Sequence, residues 1–433
     1  MFPTLVTRAS VPRTDEAPVS YGPETDPASV GADREELEAA WKAVTRLYAS
    51  GIHPAIQLCV RRKGEVILDR AIGYARGAGP NDGPDTDKLK VSTDTPFNIF
   101  SASKAITAMV IHLLDQRHLV HLEDPVCDYI PHFGTHGKQW ITIRHLLTHR
   151  AGIPNLPPDA IDLDLLSRPN EIIDILCESE LSWRPGRRLG YHAITGGFLL
   201  GEIVRRVTGI SIRAFLDREL RGPLRFKWLN YGVPRSCLDE VAWNYFTGPP
   251  VLPPVSTVLR RALGIDFHDA VEVSNDPRFA LGIIPAGNVF ASANELSRFY
   301  QLLLDGGELD GVRIFDSRTI RRATAEQSYR EFDLTLAVPL RYGMGFMLGG
   351  RWFSPYGPDT QHAFGHLGFT NILGWADPER GISAALLTSG KPVVYPELFF
   401  AFDVLRRIGN ACPKQKLRPW RKAVVVPVRS AER

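Results

Sequence analysis

The reading turns on Pro96-Phe97-Asn98-Ile99-Phe100-Ser101-Ala102-Ser103-Lys104-Ala105-Ile106-Thr107-Ala108-Met109-Val110. A short apolar run feeds a serine, and helix formers follow without Gly or Pro through Leu114. Ser101 is therefore expected at a helix start, where free N–H groups and the dipole favour an anion. Lys104, three residues on, falls on the same helix face. A serine hydroxyl is a poor nucleophile until a base takes its proton. A lysine buried in a mostly apolar helix loses charge readily and can be that base. The spacing S-x-x-K is common by chance, and serine is also an ordinary helix cap, so the pair needs partners elsewhere in the chain.

Composition sets the frame. The chain has 433 residues, 44% of them hydrophobic, with formal net charge +3. That length supports one large domain or two intimate ones. The charge is too small to argue for nucleic acid or a membrane surface. Cys59, Cys127, Cys177, Cys237 and Cys412 are scattered, odd in number and never C-x-x-C, as expected of reduced thiols in a cytoplasmic protein. Residues 1–33 show no basic-then-apolar export pattern, and no apolar run is long enough to span a bilayer. A soluble, unexported protein is expected.

Helix and strand signals divide along the chain. Residues 34–50 carry Leu37, Ala40, Trp41, Val44 and Leu47 at helical spacing. Residues 55–60 and 65–69 flank Arg61-Arg62-Lys63-Gly64 as a hairpin. From 101 the text turns helical, with helices predicted over 169–179, 193–207, 211–220 and 294–304. Residues 248–255 are Pro-rich and 256–275 have no clear assignment; they read as an insertion bordering a cleft, and as a lid over it. Strands return at 343–348, 361–367, 371–375 and 382–387, with 377–381 as a turn, before a helix over 396–408. Strands at both ends and helices between predict an α/β (α+β) fold: an antiparallel sheet flanked by helices, built from both termini, with an inserted mostly helical subdomain. The expected division is an N-terminal arm (1–33), a sheet domain (34–100 with 285–412), a helical subdomain (101–284) and a solvated basic tail (413–433).

Three places offer partners for Ser101. Tyr191, in Gly190-Tyr191-His192-Ala193, precedes a predicted helix. As a tyrosinate or proton-sharing partner of Lys104 it could relay the serine proton, given a nearby cation. Its ordinary alternative is packing at a domain edge. Phe364-Gly365-His366-Leu367-Gly368-Phe369 is the second: Gly368 permits close approach to a strand, and the N–H groups of Phe369 and Ser101 could form an oxyanion hole. The alternative is a strand bend with an ordinary histidine. The third is His145 and His149, spaced like zinc ligands but without the Glu of H-E-x-x-H or a third ligand; His132 and His136 are weaker still. No metal and no cofactor are expected.

Taken in order, residues 97–107, 141–153, 185–209, 285–307 and 365–390 resemble the serine β-lactamase and penicillin-binding-protein superfamily, in its class C-like branch, closest to family VIII carboxylesterases. The likeness spans residues 34–409. It implies a β-lactamase/transpeptidase-like fold with Ser101 as acylated nucleophile, Lys104 and Tyr191 sharing acid/base work, and His366-Leu367-Gly368 in the place of a Lys-Thr-Gly strand. Residues 141–153 would then be structural. Two departures matter. No Tyr-x-Asn exists, Ala193 standing where the family's β-lactamases have Asn, and Lys-Thr-Gly is absent. Both weaken recognition of a lactam carboxylate and of an amide side chain. The resemblance therefore implies a carboxylesterase for small to medium acyl esters, with transesterification and weak β-lactam hydrolysis as side reactions. A small-molecule ester would be its partner, with no nucleic acid or membrane. A β-lactamase or D-amino-acid peptidase, and a non-catalytic scaffold of the same fold, are the alternatives.

Overall fold

The computed structural model describes residues 6–12, 14, 16–157, 162–329 and 331–415. Nine strands form one antiparallel sheet: β1 (Val19–Tyr21), β2 (Ala55–Arg62), β3 (Glu65–Arg76), β4 (Leu89–Lys90), β5 (Arg341–Tyr342), β6 (Met347–Leu348), β7 (Phe364–Leu367), β8 (Leu373–Asp377) and β9 (Ile382–Thr388). Their order is β1-β3-β2-β9-β8-β7-β6-β5, with β4 paired to β3. The two ends of the chain meet at its centre, where Cys59 of β2 lies opposite Ala385 of β9. The β2–β3 connection is a tight turn through Lys63 (φ 53°) and Gly64 (φ 90°), the left-handed pair that matches strand twist.

The helices used below are α1 (Arg34–Ala49), α2 (Ser103–Gln116), α3 (Pro169–Glu178), α4 (Thr195–Thr208), α5 (Val255–Leu263), α6 (Phe267–Val273), α7 (Ala293–Leu304) and α8 (Leu398–Ala411). Each face of the sheet has its own core. Ile56, Leu58 and Val60 of β2, with Ala384 and Leu386 of β9, pack under Val44 and Leu47 of α1 and Val404 of α8. The alternate residues Cys59, Ala385 and Leu387 face Leu296 and Phe299 of α7 and Met109 of α2. This period of two explains why both central strands are buried along their whole length. α1 starts at Asp33, whose carboxylate accepts from the N–H groups of Glu35 and Glu36, and α7 starts at a reciprocal Ser292–Glu295 capping box.

Local differences from the sequence reading have physical causes. The described part of the N-terminal arm is not loose: Val19–Tyr21 adds an edge strand, and Glu24 pairs with Arg70 at 2.8 Å. The stretch 343–348 is broken by Gly345 (φ 94°), where an added Cβ would lie 2.0 Å from Ala108 Cβ. The chain turns there because α2 passes against it. Residues 255–263 and 267–273, left unassigned by pattern, are two short helices. The basic tail from 416 onward lies outside the described residues. All five cysteines are unpaired. Among the described residues no helix is long and apolar enough to cross a membrane.

Candidate active site

Ser101 does not cap a helix. It sits in a single 3-10 turn, Phe100–Ala102, that leads into α2, and no side chain caps either element. Phe100, just before it, has the left-handed φ of 46°, uncommon for a bulky residue. Asn98 holds that conformation, its Oδ1 accepting the Phe100 N–H at 2.9 Å. Ile99 N donates to Val289 O at 2.9 Å, and Val289 N donates to Ser103 Oγ at 2.9 Å. The turn is thus stitched on both sides to the strand Val289–Ala291. Backbone strain held by surrounding bonds is common where a side chain must be aimed.

Lys104 is 8% exposed and its Nζ lies 3.1 Å from Ser101 Oγ. Nζ also donates to Ala193 O at 2.7 Å and Ala286 O at 3.0 Å. Among the described residues no carboxylate accompanies it. Burial alone pulls its pKa down from 10.5 to about 7. A neutral amine has two hydrogens and one lone pair. The two carbonyls can only accept, so in that form the lone pair is left for Ser101 Oγ.

Tyr191 completes a triangle. Its phenol faces the Ser101 hydroxyl, and its ring centroid lies 4.7 Å from Lys104 Nζ. Burial, aided by the Asp333 charge, pushes the phenol pKa above its ordinary value. Of the two roles the sequence leaves open, a tyrosinate or a proton-sharing partner of Lys104, this direction favours the partner whose phenol keeps its proton. The ring is braced by His149, 4.7 Å away between centroids. His149 Nδ1 in turn accepts the His192 N–H at 3.3 Å, and His192 Nε2 accepts the Ile153 N–H at 3.1 Å.

His366, Gly368 and Phe369 lie at the end of β7 beside the same turn. His366 is buried, faces Tyr191 at 6.5 Å between ring centroids, and uses Nδ1 on Leu367 O at 2.7 Å. Burial, then the proximity of Lys104, push its pKa down to about 3, so it is neutral. The Gly368 N–H is committed to Ile372 O at 2.7 Å, and a Cβ there would stand 2.5 Å from Ile99 O. Only glycine lets β7 press against the turn that carries Ser101. Phe369 packs its ring on Phe100, 5.1 Å between centroids.

His145 and His149 do not share a helix face. The helix Ile143–Leu147 ends before His149, whose φ is 57°. His145 closes a capping box, its Nδ1 accepting the Thr142 N–H at 3.1 Å. Sequence reasoning missed Asp333. Its fully buried carboxylate accepts from the N–H groups of Tyr191 (3.1 Å), Thr335 and Leu336 (both 2.9 Å) and from the Tyr342 hydroxyl (2.9 Å). It lies 142 residues from Tyr191 in a stretch with no periodic pattern, so nothing local signals it.

A Beta-lactamase family model matches residues 42–398. The chain is 30% identical over 381 residues, 84% of each chain, to "Esterase/beta-lactamase LipL" of Mycobacterium tuberculosis. A penicillin-binding-protein homologue from Caulobacter crescentus superposes with TM-score 0.71 at 27% identity, covering 87% of this chain and 98% of that one. The crystal structure of a family VIII carboxylesterase superposes with TM-score 0.72 at 23% identity, covering 87% and 99%. With a match across most of its length and a relative this similar, the chain belongs to the beta-lactamase family and is a hydrolase of that fold.

Proposed function

We propose that the protein is a serine carboxylesterase working through an acyl-enzyme on Ser101. One observation carries the reading: the Ser101 hydroxyl is flanked by a buried amine at 3.1 Å, with pKa about 7, and by the phenol of Tyr191. Ser101 Oγ attacks the ester carbonyl as its proton passes to neutral Lys104. The N–H groups of Ser101 and Phe369 receive the oxyanion. The tetrahedral adduct collapses, the C–O bond to the alcohol breaks, and the alkoxide takes a proton from Tyr191, which Lys104 replenishes. Water then adds to the acyl-serine, losing a proton to Lys104; the second adduct collapses, the bond to Ser101 Oγ breaks, that oxygen takes the proton back from Lys104, and the acid departs. An alcohol in place of water gives transesterification.

The curated relative's name, esterase/beta-lactamase, supports an ester substrate and leaves weak β-lactam hydrolysis within reach. Ala193 and Leu367 leave no amide or hydroxyl for the polar groups of a lactam or D-peptide, which favours the ester. The unpaired cysteines suit a reducing compartment such as the cytoplasm. The test is turnover of short p-nitrophenyl esters together with labelling by a fluorophosphonate. Ester turnover and a label on Ser101, both lost in Ser101→Ala, are expected. Full activity in that variant, or a folded protein that takes no label, as a non-catalytic scaffold would, refutes the proposal.

A further inference from the structure

A cavity of about 200 Å³ opens at Ser101; neither Lys104 nor Tyr191 lines it, although Ala193 and Ala286, whose carbonyls accept from Lys104 Nζ, do. Its wall is almost wholly apolar. Leu166, Ile175, Phe198 of α4 and, from the segment around α6, Ala270, Val273 and Phe279 line it. Among the described residues Asp162 is the one charged residue on the lining, and it is exposed to solvent. None of this was visible in the sequence, because five separate stretches build the wall.

We infer that this cavity is the acyl pocket and that its size favours acyl groups of about six to eight carbons. The inference rests on the esterase reading above. Its logic is one of proton traffic. The leaving alkoxide must meet a proton donor, so the alcohol half of the ester lies toward Tyr191. The other substituent of the carbonyl then points into the space bounded by Phe100 and Phe369. Size follows from volume: an apolar cavity of about 150 Å³ admits benzene, so about 200 Å³ admits a benzoyl or octanoyl group. Charge selects as well. An aminoacyl group would bring an ammonium into a wall whose described residues include no buried carboxylate to receive it, which burial penalises heavily.

The segment 255–275 is a fixed wall of this pocket more than a lid. Asn244 N donates to Asn275 Oδ1 at 2.8 Å, Asn275 Nδ2 donates to Asn244 O at 2.7 Å, and Asn244 Nδ2 donates to Ser274 Oγ at 3.1 Å. Phe267 of α6 stacks on Phe369 with centroids 4.6 Å apart. The helices are clamped at their C-terminal end and against the strand beside Ser101.

The experiment is kcat/KM for p-nitrophenyl esters from acetate to palmitate, with the wild-type enzyme and with Ala270→Phe and Val273→Phe. Each buried methylene contributes about 0.8 kcal/mol, about fourfold in kcat/KM. The profile should climb by a few-fold per methylene, peak near hexanoate to octanoate, and fall beyond. Either filling variant should cut the octanoate-to-acetate ratio at least tenfold while Ser101 still takes a fluorophosphonate. Inhibition of the wild type by octanoic acid at least tenfold tighter than by acetic acid is a second expected result, independent of whether the variants fold. A profile that is flat or highest at acetate overturns the pocket and leaves the esterase standing. Absence of both ester turnover and label in the wild type overturns the reading beneath it, and the pocket with it.

Discussion

Replacing Lys104 by Met should abolish ester turnover and, at neutral pH, make the protein more stable. The unfolded chain offers Lys104 its ordinary pKa of 10.5, and the native site holds it at about 7 through burial alone. The folded value is the lower one, so between pH 7 and 10.5 the unfolded state binds more protons and stability rises with pH. Below pH 7 both states are protonated and the whole cost of burying the amine is present. Linkage puts that cost at about 4 kcal/mol at pH 7 and about 1.5 kcal/mol at pH 9.5. Met keeps an unbranched stem of similar length and removes the titration. It also leaves the Ala193 and Ala286 carbonyls without a donor, a loss of about 1–3 kcal/mol that does not vary with pH. The decisive quantity is therefore a difference of differences. Denaturant unfolding of both proteins at pH 7.0, 8.0 and 9.5 should show the advantage of the variant shrinking by roughly 3 kcal/mol from first to last. A gap that stays constant over this range would mean that Lys104 titrates at its ordinary value, and the proposed base would not exist.

The same pKa fixes the activity profile. kcat/KM for a short ester should rise with pH as Lys104 loses its proton, reaching about a tenth of its plateau at pH 6, half at 7 and nine tenths at 8; a profile flat from pH 5 to 9 contradicts it. Tyr191→Phe should keep the fold and lower kcat by about 100-fold or more, with a smaller loss for esters of acidic phenols, whose leaving group needs no proton. Stopped-flow kinetics on p-nitrophenyl and alkyl esters measures the contrast. Gly368→Ala drives a Cβ against Ile99 O and should cost about 100-fold in kcat through displacement of the Ser101 turn, with KM changing less. Asp333→Ala strips four donors of their acceptor and should lower stability by roughly 2–4 kcal/mol in urea unfolding, with a fall in kcat because Tyr191 loses its backbone anchor.

What could be read in advance was what is local or periodic. Ser101 and Lys104 are three residues apart on continuous helical text, so their proximity needs no tertiary information. The strands from 364 to 388 announce themselves by short apolar runs between turn residues. Tyr191 was found through its neighbours in the chain, but its protonation state was not, because that depends on burial and on a carboxylate arriving from residue 333. The break at Gly345 is dictated by Ala108, and no pattern within 343–348 records it. α5 and α6 are too short for their periodicity to stand out, and much of their apolar surface is spent on the pocket rather than on a core. The His145–His149 spacing mimics a zinc-ligand pair only in the sequence, since the helix stops two residues after His145 and lets His149 turn away.

The pairing of β2 with β9 has a consequence for biosynthesis. About three quarters of the chain separates Cys59 from Ala385, so the platform beneath the nucleophile cannot close until translation is nearly done. Until then the β2–β3 hairpin presents an apolar strand with an open edge, the kind of surface that recruits holdase chaperones or a second nascent copy. A nonsense codon between the end of β3 and residue 382 would therefore release an aggregation-prone fragment in place of a partly active enzyme.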